Sequence, residues 1–227
     1  MKKQREGIML AQPLEPKHLN LWPVPFYVQP KLDGMRMRVE LSTPEVNMVS
    51  ATGRRLNHIL PHIRDDLNSK AELFHLRGIY ELDGELYSPD LVFEDIVSIC
   101  KRTKNLHPDH KQIQYHIFDH ISTDPFHNRL IEYSQVLEPE SPCVGVDTFL
   151  VSKIEDAFVL LEQFIEDGYE GVIFRHPLFP YERKRSRGLL KFKPCKEDTY
   201  IIKGTVEEVS IHGEPKGTLG ALILSDI

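Results

Sequence analysis

Cysteine is scarce in this chain of 227 residues: Cys100, Cys143 and Cys195 stand far apart and odd in number. They show no metal-ligand spacing, fit a reduced cytoplasmic compartment, and are expected to carry no chemistry. Long apolar runs are lacking, so no membrane span is expected. The charged start, Met1 to Glu6, is not followed by an apolar stretch long enough for a signal peptide. Internal repeats and low-complexity segments are absent. The eleven histidines are scattered and suggest surface or packing roles. Positive charge is not in excess either: the net charge of −6, taken alone, argues against a nucleic-acid binder.

That net value hides a local concentration. Arg183, Lys184, Arg185, Arg187, Lys191, Lys193 and Lys196 fall in one run with no acidic residue. A solvated loop is the ordinary explanation of such a run. Its alternation with apolar residues from Leu189 to Phe192 favours a phosphate-facing surface instead.

Apolar patterning gives an α+β chain with mainly antiparallel sheets. Ile8 to Pro25 is proline-rich and reads as an extended arm. Strands are expected at Phe26–Val28, Met35–Leu41, Val46–Ser50, Ile79–Leu86, Gln114–Asp119, Val146–Val151, Glu170–Phe174 and Leu189–Phe192. Helices are expected at Leu60–Leu67, Leu91–Cys100, Phe126–Leu137 and Lys153–Glu166, with Gly168 closing the last. Asp33-Gly34 reads as a tight turn allowed by glycine at positive φ. A second unit of two strands, Tyr200–Val209 and Leu219–Leu224, is expected from about Glu197. A lone hairpin is marginal in water.

Five short elements follow one another at the ends of apolar runs: Lys31-Leu32-Asp33-Gly34 with Arg36, Leu82-Asp83-Gly84-Glu85, Phe118-Asp119, Glu170-Gly171, and Lys191-Phe192-Lys193. Each alone is common, and Asp83-Gly84 or Phe118 would ordinarily be turn or core. Together they supply one candidate nucleophilic amine, carboxylates for a metal, and two further amines. A lysine with an ordinary pKa of about 10.4 attacks only when neighbouring cations or burial favour its neutral form. Lys191 and Lys193 beside Lys31 would do that and would stabilise a phosphate under attack.

This ordered set resembles the covalent nucleotidyltransferase superfamily of polynucleotide ligases and mRNA capping enzymes, and most of all ATP-dependent DNA ligases of the compact phage or bacterial kind. The resemblance runs from about Phe26 to the end of the chain. It implies an ATP-grasp-like nucleotidyltransferase domain of antiparallel sheets flanked by helices, at residues 1–196. The first strands of an incomplete OB-fold would follow at 197–227. It implies ATP, with AMP carried on Lys31, and Mg²⁺. Gln29, Pro30, Arg36, Glu85, Phe118, Lys191 and Lys193 would bind the nucleotide: Arg36 at the ribose, Phe118 against the adenine, both lysines at the α-phosphate. Glu85 and Glu170 would serve the metal. The implied partner is nicked duplex DNA, met by a cytoplasmic monomer.

Three departures stand out. Gln29 occupies a position where many such ligases carry Glu. Ala51 stands where they carry an arginine for the nick phosphate, which leaves Arg54 or Arg55 to reach it, while Arg183, Arg185 and Arg187 of the basic loop would contact DNA phosphates elsewhere. The chain also stops before the barrel's remaining strands and the family's last motif. The competing readings are an RNA ligase or capping guanylyltransferase, and a non-catalytic nucleotide-binding fragment. Glu170 argues against capping enzymes, which usually have Asp there.

Overall fold

The computed structural model describes residues 7–19, 22, 24–194 and 199–225. Met1 to Glu6, Cys195, Lys196 and Glu197 lie outside them. The chain divides into two compact units, Met1–Lys193 and Pro194–Ile227.

The first unit holds ten strands and five α-helices among its described residues: β1 (Leu10–Pro13), α1 (Pro16–Leu19), β2 (Phe26–Lys31), β3 (Met35–Glu40), β4 (Asn47–Ser50), α2 (Pro61–Leu76), β5 (Glu81–Tyr87), α3 (Phe93–Cys100), β6 (Gln114–His120), α4 (Phe126–Ser134), β7 (Cys143–Gly145), β8 (Phe149–Val151), α5 (Ile154–Glu166), β9 (Gly171–Arg175) and β10 (Arg185–Phe192). They form two five-stranded sheets, ordered β1-β10-β9-β2-β8 and β4-β3-β5-β6-β7. Pairing is antiparallel except for β1 with β10 and β6 with β7. In the second unit, β11 (Ile201–Val209) and β12 (Pro215–Ser225) make an antiparallel ribbon. Its apolar side chains, Val206, Leu222 and Leu224 among them, are exposed.

Each sheet buries one face against helices. In the first sheet Phe26, Val28, Val172, Phe174 and Leu190 pack on Ala157, Leu161 and Phe164 of α5. In the second, Met37, Val39, Leu82, Leu86, Tyr115 and Ile117 pack with Ile63, Leu67 and Phe74 of α2 and Ile96 of α3. Side chains alternate along a strand. The residues between these core positions therefore point to the opposite faces: Gln29 and Lys31, Ile173 and Arg175, Leu189 and Lys191 from one sheet, Arg36, Glu85 and Phe118 from the other.

Five expectations need correction. Asp33-Gly34 is not a hairpin turn, because β2 and β3 belong to different sheets and the tetrad is the crossing between them. Gly34 is also outside the left-handed region. Its missing Cβ matters because one would stand 2.2 Å from the Leu86 carbonyl oxygen. The expected strand Val146–Val151 is a strand only over β8, Phe149 to Val151, in the first sheet; β7 ends at Gly145 in the second, so residues 146–148 form a second crossing. Helix α2 runs on to Leu76, since its buried stripe continues through Lys70, whose ammonium bonds Asp66 and Ser141. The N-terminal arm contains β1 and α1, and β10 starts at Arg185 rather than Leu189.

Candidate active site

A cavity of about 920 Å³ opens where the exposed faces of the two sheets meet. That is within the range of a nucleotide-sized ligand site. Lining it are Gln29, Pro30, Lys31, Arg36, Glu85, Phe118, Glu170 and Lys191. The same cavity takes in Asp33 and Gly34 from the tetrad, and Arg54 and Arg185 from the residues expected at phosphates.

Local structure explains how Lys31 and Glu170 meet. Helix α5 ends in a paired-bond C-cap. Gly168 (φ +87°) donates to the Ile165 carbonyl at 3.1 Å and Tyr169 to that of Phe164 at 2.8 Å. The Tyr169 ring meets the Phe164 ring edge-on at 6.0 Å, the apolar contact that accompanies this cap. The next residue, Glu170, donates its backbone N–H to the Lys31 carbonyl at 3.0 Å. Its carboxylate accepts from the amines of both Lys31 and Lys193. Burial pushes the Lys31 ammonium below its ordinary pKa. Glu85 and Asp33 oppose that shift, while Lys191 and Lys193 add to it. Lys193 lies just past β10, is exposed, and meets the site through Glu170.

On the second sheet Arg36 donates to Asp83, with Nε at 2.9 Å from Oδ1. Burial works against the Arg36 charge, but Asp83 outweighs it and holds the guanidinium charged. Tyr181 donates to Asp83 at 2.5 Å and accepts from the Met9 N–H at 2.9 Å, which ties the N-terminal arm to this pair. Glu85 faces Arg36 across the β3–β5 pairing. The Phe118 ring has two guanidinium carbons near its centroid, Arg36 at 5.1 Å and Arg175 at 5.2 Å.

Sequence reasoning missed the network behind Gln29. Arg175 Nε donates to Gln29 Oε1 at 2.6 Å, and Gln29 Nε2 donates to Thr148 Oγ1 at 2.8 Å. Arg175 also reaches Asp119 at 2.7 Å, and the buried Arg129 binds the same carboxylate at 2.7 and 3.1 Å. Burial alone would raise the Asp119 carboxyl, but Arg175 and Arg129 hold it below the usual range. The Gln29 amide is thereby fixed in orientation. The available signal was parity: Arg175 sits two residues after Ile173 on the cavity side of β9.

Other expected contacts are placed elsewhere. Arg54 borders the cavity, but its guanidinium donates to the carbonyls of Cys100 and, at 2.8 Å, Lys101. Arg55 pairs with Glu45 at 3.4 Å and does not line the cavity. Arg183 pairs with Glu81 at 2.5 Å, and Arg185 donates to the Ala11 carbonyl at 2.6 Å. Arg187 is exposed and outside the cavity lining.

With this geometry in view, the family model described as "ATP dependent DNA ligase domain" matches residues 8–193. The chain belongs to the ATP-dependent DNA ligase domain family. The DNA ligase of African swine fever virus is 26% identical over 212 residues, covering 85% of this chain and 49% of that protein. The DNA ligase of Haemophilus influenzae is 30% identical over 142 residues, 57% of this chain and 51% of that one. The ligase-domain chain thus spans about half the length of these curated relatives. Among solved structures, a Lig E DNA ligase superposes with a TM-score of 0.71 at 20% identity, covering 97% of this chain and 80% of that chain. The Chlorella virus DNA ligase-adenylate does so with 0.64 at 20%, covering 96% and 80%. At these identities the structural likeness establishes the ligase-domain fold. The α+β architecture of two packed sheets flanked by helices is therefore as expected.

Proposed function

We propose that this ligase domain carries out the nucleotidyl-transfer chemistry of nick sealing, with Lys31 as its covalent nucleophile. The observation that carries the reading is the setting of Lys31: half-buried on a nucleotide-sized cavity, with its pKa lowered and Lys191 on the same cavity. The neutral Lys31 amine attacks the α-phosphorus of ATP. A P–N bond forms, the bond to the β-phosphate bridging oxygen breaks, and pyrophosphate leaves. An oxygen of a DNA 5′-phosphate then attacks the same phosphorus and displaces the Lys31 amine. Finally the 3′-hydroxyl attacks the 5′-phosphorus, releasing AMP and joining the strands. Each step is phosphoryl-type transfer, governed by positioning and charge neutralisation. Lys191, with Lys193 behind Glu170, neutralises charge at the α-phosphate. Arg36, held by Asp83, meets the ribose. Phe118 stacks on the base, and Gln29 reads its edge.

No group of three or more His, Cys, Asp or Glu among the described residues forms a ready metal cage. Two cavity carboxylates, Glu85 and Glu170, suit Mg²⁺, which keeps most of its waters and shares substrate phosphates. These two residues would hold it, and it would supply charge neutralisation at the phosphates. We place the protein in the cytoplasm as a monomer. Cys100 and Cys143 are free and buried, and no described helix is long and apolar enough to cross a membrane.

The test uses α-labelled ATP or GTP with Mg²⁺, followed by denaturation. Label is expected on the protein from ATP only, and none on Lys31→Ala. Label from GTP instead would replace ligase chemistry with guanylyl transfer. No label from either nucleotide would leave only a nucleotide-binding fragment.

A further inference from the structure

The wall of the cavity formed by the end of β4 carries no cation of its own that is free to meet a phosphate. Ser50, Ala51 and Thr52 are uncharged, and Arg54 is spent on the carbonyls at the end of α3. Those same bonds bring the next residue of that helix end, Lys101, to the cavity. Lys101 is exposed and forms no ion pair among the described residues. It opens the stretch Lys101-Arg102-Thr103-Lys104, exposed throughout, with three cations and no acid.

We propose that Lys101 is the phosphate contact of this wall, taking the 5′-phosphate of the nicked DNA strand at the mouth of the cavity. Arg54 holds it there from below. The inference rests on the nick-sealing reading. A compact ammonium on a flexible stem serves as a point charge for phosphate, and a cavity shared with Lys31 puts that charge where a DNA phosphate must arrive to receive AMP. The ordinary explanation is different: a lysine at a helix C-terminus is favoured by the helix dipole alone. The two differ in what can replace Lys101. A dipole partner must sit at the helix end, whereas a phosphate contact can be restored from Ala51, because both residues border one cavity.

The experiment measures two rates in the 227-residue chain: self-labelling by ATP, and AMP transfer from isolated labelled protein to a nicked duplex bearing a 5′-phosphate. For Lys101→Ala the ratio of transfer to self-labelling should fall about tenfold or more. The salt dependence of nicked-duplex binding, read by fluorescence anisotropy, should flatten by about one phosphate contact. Adding Ala51→Arg to Lys101→Ala should restore the ratio. An unchanged ratio and salt slope would overturn the proposal, as would a defect that Ala51→Arg leaves in place. Should the parent chain fail to label itself, the ligase reading fails. Lys101 is then judged on anisotropy alone, where equal binding by parent and Lys101→Ala removes it from the interface.

Discussion

The inner and outer ends of the cavity are built on opposite principles. Behind Gln29 the charges are buried and saturated: Arg129, Asp119 and Arg175 are each under 5% exposed and bonded to one another. At the mouth, Lys191, Lys101 and Arg185 are exposed. Burying a charge costs several kcal/mol unless it is paired, so the inner end can only be a fixed frame. Charges at the mouth remain hydrated and lose little when a ligand replaces their water. The frame should therefore answer to stability measurements and the mouth to rates.

The largest effect should come from breaking the frame. Asp119→Ala leaves Arg129 and Arg175 buried without their carboxylate and should cost about 3–5 kcal/mol in urea unfolding. A loss under about 1 kcal/mol would mean that the inner end is not a frame. At the mouth, Lys191→Ala should leave unfolding nearly unaltered while cutting self-labelling by roughly 10²–10³. The rising limb of its pH–rate profile should also move upward. Lys191 helps hold the Lys31 pKa down, so without it the neutral amine appears only at higher pH. A profile at the parental pH would remove Lys191 from the electrostatics of Lys31.

His116 sits between the extremes, opposite Glu85 on β6. Burial pushes it down to about 4. An unfolded chain takes up that proton near pH 6.5 and the folded chain does not. Stability should therefore be intact above 6.5 and fall as pH drops towards 4, by at most about 3 kcal/mol. His116→Gln should flatten that slope, and an unchanged acid limb would point to other groups. The smallest effect belongs to Arg55→Ala. Its exposed pair with Glu45 is worth no more than about 1 kcal/mol, and both labelling and transfer should stay near parental rates. A clear transfer defect would return Arg55 to the DNA interface.

The parts of the site legible in the sequence were those set by alternation. The cavity residues Gln29, Lys31, Arg36, Glu85, Phe118 and Lys191 alternate with core positions along β2, β3, β5, β6 and β10, and four of the five motifs fall on or at the end of those strands, the fifth at the start of β9. Strand partnership was not legible. The run 146–151 is rich in strand-forming residues, and nothing local says that the strands before and after 146–148 lie in different sheets. The tetrad read as a turn for the same reason. Arg175 and Thr148 were invisible because their value lies in Gln29, 146 and 119 residues away. Lys70 hid half of α2 because a buried lysine breaks an apolar stripe unless its partners are known. The basic run at Arg183–Lys193 was visible as charge, but its partners Glu81 and Ala11 were not.

The two crossings between the sheets, 32–34 and 146–148, both border the cavity, and Lys31 and Arg36 flank the first of them. Such links act like the pin of a pair of jaws. If the sheets rock against each other about them, displacement grows with distance from the pin. The far edges of the sheets would then travel most, while the Lys31 amine, beside the link, would move least.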